Sequence, residues 1–61
     1  MIIGTEKYMG YQLALKKNAG RFQVAILDAS NRLVVTTEPQ EDAAIALADA
    51  RREIESLRAN R

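Results

Sequence analysis

The fold is decided by residues 11–27, which read YQLALKKNAGRFQVAIL. On both sides of the central KKNAG, apolar and polar side chains alternate, which is the pattern of a half-buried β-strand. The alternating apolar positions are Tyr11, Leu13, Leu15, Phe22, Val24 and Ile26. Between them, Asn18, Ala19 and Gly20 favour a three-residue hairpin in which a type I turn is closed by a left-handed Gly20. The stretch therefore predicts an antiparallel hairpin with one apolar face.

A third strand and a helix follow this hairpin. Residues 28–31 read Asp-Ala-Ser-Asn, which suits a turn, and Leu33 and Val35 then continue the apolar alternation. Thr37 and Gln40 have the spacing of a helix capping box. An apolar stripe at helical spacing comes next, formed by Ala43, Leu47, Ala50, Ile54 and Leu57. The sequence thus predicts an α+β fold, a three-stranded antiparallel β-meander with one C-terminal helix packed on one face.

The length of the chain limits how this fold can be stabilised. Residues 1–7 show no clear period and are expected to fray, so we expect residues 8–61 to form a single β-β-β-α domain. A core of this size rarely supplies more than about 3–5 kcal/mol, and small domains usually add disulfides, metal or oligomerisation. The sequence contains neither cysteine nor histidine, which excludes disulfides and argues against structural zinc. We therefore expect a homodimer or another protein partner, and no metal.

The same missing residue types argue against catalysis. Without histidine or cysteine, a general acid or base would have to be a carboxylate, lysine or tyrosine with a shifted pKa. The three glycines, at positions 4, 10 and 20, form no phosphate-binding loop. We expect no enzymatic activity, no catalytic residue and no cofactor. No apolar run approaches the roughly 20 residues that span a bilayer, so no membrane association and a cytoplasmic location are expected.

The charges are distributed unevenly along the chain. Residues 1–33 carry five basic and two acidic side chains, whereas residues 34–61 carry four basic and six acidic ones. The candidate nucleic-acid contacts, expected at one end of the sheet, are Lys16, Lys17, Arg21 and Arg32. Two of the three aromatic residues, Tyr11 and Phe22, alternate towards the core, which leaves no stacking platform for bases. Exposed cations on strands also protect a sheet from aggregation.

A protein-binding surface has more support in the sequence. The sheet face away from the helix is less polar than a fully solvated face, and Ile45 falls opposite the helix stripe. The candidate interface residues are Ala14, Ala25, Leu27, Val34 and Ile45. Scattered exposed apolar residues are also common on monomers. The leading hypothesis is a small non-enzymatic, self-associating interaction module; the alternative is a nucleic-acid-binding or antitoxin-type regulator that uses the basic hairpin end.

Three short segments carry a resemblance to a known group. Gly20-Arg21-Phe22 at the second strand, Thr37-Glu38 after the third, and the alanine-rich helix from Ala43 to Ile54 resemble small bacterial β-β-β-α domains of unknown function, the YegP-like group. The likeness covers residues 10–57 and transfers no catalytic residue. Members often carry tandem copies packed together, so the resemblance implies that a second chain replaces the second copy. HicB-like antitoxins also begin with a small sheet followed by a helix, but usually continue into a further strand and a DNA-binding segment.

Overall fold

The computed structural model describes residues 2–59. Its elements, in chain order, are β1 (Ile2–Tyr8), β2 (Tyr11–Asn18), β3 (Arg21–Leu27), β4 (Leu33–Thr36) and α1 (Ala43–Ala59). The strands form one antiparallel sheet in the order β1-β2-β3-β4, and α1 packs on one face, mainly against β3 and β2. The predicted α+β meander with a C-terminal helix is confirmed.

The structure differs from the prediction by one additional strand at the N-terminus. Instead of three strands it has four, because residues 2–8 pair with β2, with Tyr8 opposite Tyr11 and Gly4 opposite Leu15. The positions of this strand that face the helix side are Gly4, Glu6 and Tyr8, so no apolar alternation marks the strand in the sequence. The fraying expected for residues 1–7 is thus replaced by a strand from Ile2 onwards, while Met1 lies outside the described residues.

The first two turns have the same geometry. Tyr8 pairs with Tyr11 and Asn18 with Arg21, which leaves two residues in each turn. The backbone φ angles in these turns are all positive, at 51° and 86° for Met9 and Gly10 and at 53° and 76° for Ala19 and Gly20. Two positive φ angles in a two-residue hairpin define a type I′ turn. The left-handed Gly20 is confirmed, but the three-residue turn is wrong because Asn18 belongs to the strand.

The third turn is organised by the carboxylate of Asp28. Its Oδ1 accepts hydrogen bonds from the amides of Ser30 at 2.8 Å and Arg32 at 3.0 Å. The amide of Asn31 donates to the carbonyl of Asp28 at 2.9 Å, and Asn31 has a φ of 65°. Asp at the start and Asn in the left-handed position are the roles predicted from the sequence.

A second β-bulge changes the face on which Leu33 lies. Ile26 pairs with Val35, but Leu27 pairs with Leu33, so Val34 is the extra residue. Directly opposite residues share a face, and Leu33 therefore lies with Leu27 on the side away from the helix, where it is 62% exposed. The prediction that Leu33 continues the core face is wrong, since a one-residue shift reverses the faces of a strand.

The segment between β4 and α1 continues the sheet instead of capping the helix. The buried Thr37 donates its amide to the carbonyl of Val24 at 2.9 Å, and its Oγ1 accepts from the Val24 amide at 3.0 Å. Gln40 exchanges two backbone hydrogen bonds with Phe22, at 2.7 and 2.8 Å. The predicted capping box is wrong because the Thr37 hydroxyl accepts a hydrogen bond from β3 and does not cap the helix.

Asp42 caps the helix instead. Its Oδ1 accepts from the amide of Ala44 at 2.8 Å, and its carbonyl accepts from the amide of Ala46 at 3.1 Å. These are the bonds expected of an N-cap residue directly before Ala43.

The core lies between α1 and the two central strands. Its fully buried members are Leu13, Val24, Ile26, Ala46, Ala50 and Ile54. Ile54 is buried as the stripe predicts, while Leu47 is only partly buried against this cluster. Ala46 is fully buried although the stripe omitted it, because the buried side of the helix is centred on the four-residue spacing of Ala46, Ala50 and Ile54.

Candidate interaction surfaces

The sheet face that α1 does not cover is called the outer face. Cross-strand pairing places these side chains on it in three rows: Thr5, Ala14, Ala25 and Thr36 in the middle; Lys7, Gln12, Leu27 and Leu33 on one side; Ile2, Lys16 and Gln23 on the other. The closing pair Asn18 and Arg21 lies beyond the last row. Among residues 2–59, no helix or strand packs over this face.

The middle of the outer face is flat. Ala14 and Ala25 lie opposite each other, and they are only 4% and 5% exposed. Thr5 and Thr36, which extend the row to both edges, are exposed and short. A second surface could therefore approach this part of the sheet closely.

An apolar corner adjoins this flat middle. Leu33 and Val34 at the bulge are 62% and 41% exposed, and Leu27 lies opposite Leu33. At the diagonally opposite corner, Ile2 is 58% exposed. The candidate interface residues Ala14, Ala25 and Leu27 thus share the outer face, with Val34 beside them.

Ile45 does not belong to that surface. It is 50% exposed on α1, and α1 lies on the other face of the sheet. The structure therefore separates Ile45 from the other four candidate interface residues.

The basic residues are only partly brought together. Lys16, Lys17 and Arg21 lie near the β2–β3 turn, but Arg32 precedes β4 at the far end of β3, about 20 Å away along the strand. Lys17 faces the helix side, where its Nζ lies 5.5 Å from the centre of the Phe22 ring. The expected cluster of four cations at one end of the sheet is therefore not formed.

A polar cluster that the sequence did not indicate ties β1 to the helix. Arg51 donates to Oε2 of Glu6 from its Nη2 at 2.5 Å and its Nε at 3.2 Å. The Tyr8 hydroxyl donates to Oε2 of Glu55 at 2.7 Å, and the Arg51 guanidinium lies 5.8 Å from the Tyr8 ring centre. The partners are 45 and 47 residues apart, so no local pattern could reveal them.

This cluster shifts two pKa values. The hydrogen bond to Glu55 raises the pKa of Tyr8 above 10.0, and desolvation and the Glu55 charge act in the same direction. The hydrogen bond to Glu6 and the Glu6 charge raise the pKa of Arg51. Both shifts come from ion pairing and hydrogen bonding at the surface, which is a structural role.

Two depressions flank the helix. Between β4 and α1, an open polar groove of about 480 Å³ includes Thr37, Gln40, Asp49 and Arg52. Its polar groups pair with one another: Gln40 donates to Asp49 at 3.0 Å, and Arg52 forms an ion pair with Asp49. Between β1 and α1, an apolar recess of about 100 Å³ is lined by Gly4, Thr5, Glu6, Leu13, Leu15 and Leu47.

Comparison with protein-family models, with curated proteins and with solved structures gives no match for this chain. In the part of the chain that the structure describes, no three metal-ligating side chains converge on one point. No helix within residues 2–59 has both the length and the apolar character needed to cross a membrane.

Proposed function

We propose that the protein is a small non-enzymatic interaction module that self-associates, with the outer face as its contact surface. The observation that carries this proposal is the outer face itself, where a flat middle built on Ala14 and Ala25 adjoins the exposed Leu33 and Val34. The exposed apolar part of this face is formed by Leu33, Val34 and the partly exposed Leu27, and such a patch on a small protein often marks a contact site.

The thin core supports the same proposal. Two of its six fully buried residues are alanines, Ala46 and Ala50, which bury little apolar area. Self-association would add buried area and make stability depend on protein concentration. The resemblance of residues 10–57 to YegP-like domains, which often pack as tandem copies, points the same way. A cysteine-free chain also suits a reducing compartment, and we propose a cytoplasmic location.

Lysine substitutions test the contact surface. Leu27→Lys and Val34→Lys would place a charge without a partner within the contact, so we expect each to weaken self-association in sedimentation experiments. Ile45→Lys is the matched control, because Ile45 is exposed on α1, on the other side of the sheet. If only Ile45→Lys dissociated the protein, the contact would lie on the helix.

A nucleic-acid-binding or antitoxin-type regulator is the second candidate, and one observation favours it. The charged residues on the outer face are Lys7, Lys16 and Arg21, and among the described residues no carboxylate shares that face with them. The acidic residues are concentrated in the helix and its approach, at Glu38, Glu41, Asp42, Asp49, Glu53 and Glu55. Sheets can enter DNA grooves, and phosphate contacts require cations of this kind.

Salt dependence separates the two candidates. Binding to a short DNA duplex should weaken steeply with salt, and removing both cations in Lys16→Gln with Arg21→Gln should reduce the logarithmic slope by about two. Arg52→Gln with Arg58→Gln, on the helix, is the matched control. Absence of duplex binding at low salt would eliminate this candidate and leave self-association unaffected.

A further inference from the structure

The two edges of the sheet are built differently. β4 is four residues long and is followed by Pro39, and both features hinder the addition of another strand. Each edge strand contains a bulge, which lies between Ile2 and Gly4 in β1 and at Val34 in β4. β1 is seven residues long and pairs regularly with β2 from Gly4 to Tyr8. Its outer end exposes Ile2 and Ile3, at 58% and 48%. The β1 edge is therefore the one suited to pairing.

The register also shows which backbone groups β1 offers. Tyr8 and Tyr11 close a two-residue turn, so they form a hydrogen-bonded pair, and such pairs recur at every second residue. Gly4 and Glu6 therefore bond to β2, whereas the amides and carbonyls of Thr5 and Lys7 point away from it. Within residues 2–59, no strand lies beyond β1 to receive them.

We propose that a second copy of the chain pairs along this edge, β1 against β1 and antiparallel, with the two-fold axis at Thr5. This inference rests on the proposed self-association and gives it a different contact, the β1 edge instead of the outer face. Thr5 would lie opposite the partner's Thr5, Ile3 opposite the partner's Lys7, and Gly4 opposite the partner's Glu6. No like charges face each other in this register, whereas an axis at Glu6 would oppose two carboxylates.

The apolar recess beside β1 is consistent with this arrangement. Gly4 leaves the recess open, since no atom lies within 4 Å of the position that a Cβ would take there. The helix packs mainly on β3 and β2, so it covers β1 less than it covers these two strands. A paired strand lies about 4.8 Å from its neighbour, and in this register it brings the methylene groups of the partner's Glu6, which lies opposite Gly4, beside the recess and the partly buried Leu47.

The symmetry of a β1–β1 pair favours a second copy of the chain, and not a strand of an unrelated protein, as the partner on this edge. Pairing two β1 edges uses both of them and joins the two sheets into one of eight strands. The edges that remain are the two β4 edges, which are short and are followed by Pro39. Such a contact is isologous and closes at two subunits.

Proline substitutions at the two edges test the pairing. Thr5→Pro removes an amide that the chain itself does not use, so it should raise the dissociation constant at least about tenfold by deleting two symmetry-related hydrogen bonds. Thr36→Pro is the matched control on the β4 edge, because Val35 pairs with Ile26 and the Thr37 amide bonds to Val24, which leaves the Thr36 amide pointing outwards. It should associate like the parent. Circular dichroism of dilute samples checks that both variants fold.

Amide exchange on the unaltered chain gives a second measurement. The amides of Thr5 and Lys7 should become protected as concentration rises into the dimeric range, while the Thr36 amide exchanges rapidly throughout. A dimer in which Thr5 and Lys7 stay unprotected, or which survives Thr5→Pro, would overturn the β1 pairing. If Leu27→Lys dissociates a dimer of this kind, the proposed self-association through the outer face stands and only the β1 pairing is wrong. A parent chain that remains monomeric overturns both, and growth beyond two subunits through β1 contradicts the closed pair.

Discussion

At the scale of single residues, the two type I′ turns carry conformational strain. Met9 and Ala19 have φ angles of 51° and 53°, although neither is glycine or asparagine. The left-handed conformation raises the free energy of an L-residue with a Cβ by roughly 1–2 kcal/mol. The strand register fixes these turns at two residues, and the side chains at their first central positions are not the ones that the turn prefers.

Ala19→Asn should therefore stabilise the protein. Asparagine followed by Gly20 is the preferred type I′ pair, so we expect the free energy of unfolding to rise by about 0.5–1 kcal/mol. Urea denaturation measures the change. Ala29→Asn is the control, since Ala29 is an exposed turn alanine that is not among the positive-φ residues. Equal effects of both substitutions would show that turn strain is not the cause.

Thr37 and Leu33 are two residues whose roles in the structure the local sequence does not predict. Thr37 has the right spacing to cap a helix, but a strand 13 residues away uses its hydroxyl. Leu33 follows the alternation, but a bulge reverses its face. Both outcomes depend on pairing with β3, which the local sequence does not encode.

At the scale of elements, the docking of α1 depends on a few side chains. Ile54 is fully buried and Ile45 is 50% exposed on the same helix. Ile54→Ala should cost about 2–5 kcal/mol, because it leaves a cavity in the core. Ile45→Ala should change stability by no more than about 0.5 kcal/mol. Thermal or urea melts that show similar losses for both variants would contradict the docking of this face.

The β1 strand could not be predicted because its anchors are distant in sequence. Its pairs with the helix are Glu6 with Arg51 and Tyr8 with Glu55. By contrast, β2, β3 and the helix follow from local periods, and these periods also place Ala14, Ala25 and Leu27 on the outer face. That part of the outer face was therefore readable in the sequence, while the position of Leu33, the separation of Ile45 and the β1 edge were not.

The Tyr8–Glu55 bond predicts a dependence of stability on alkaline pH. The pKa of Tyr8 is raised above 10.0 in the fold, so the folded chain holds this proton more tightly than the unfolded chain. The contribution is fully present below pH 10 and is lost as pH rises through the folded-state pKa. We expect Tyr8→Phe to lose less stability than the parent between neutral pH and pH above 10, measured by urea denaturation. Parallel losses in the two proteins would contradict the role of this bond.

At the scale of the whole molecule, the fold is asymmetric in three respects. One face of the sheet carries the helix and the other has no covering layer among the described residues. One edge strand has four residues and the other has seven. The charged residues of the outer face, Lys7, Lys16 and Arg21, are all basic, whereas the helix carries both acidic and basic residues. A small core and an uncovered face are together what a self-associating module requires.

Sedimentation equilibrium of the unaltered chain, from micromolar to millimolar concentration, tests self-association directly. The weight-average mass should rise from the 6.8 kDa of one chain and level off at twice that value. Because the charged residues of the outer face are all basic, salt screens repulsion between the two copies, and moderate salt should not weaken the association. A mass of 6.8 kDa up to millimolar concentration would contradict self-association.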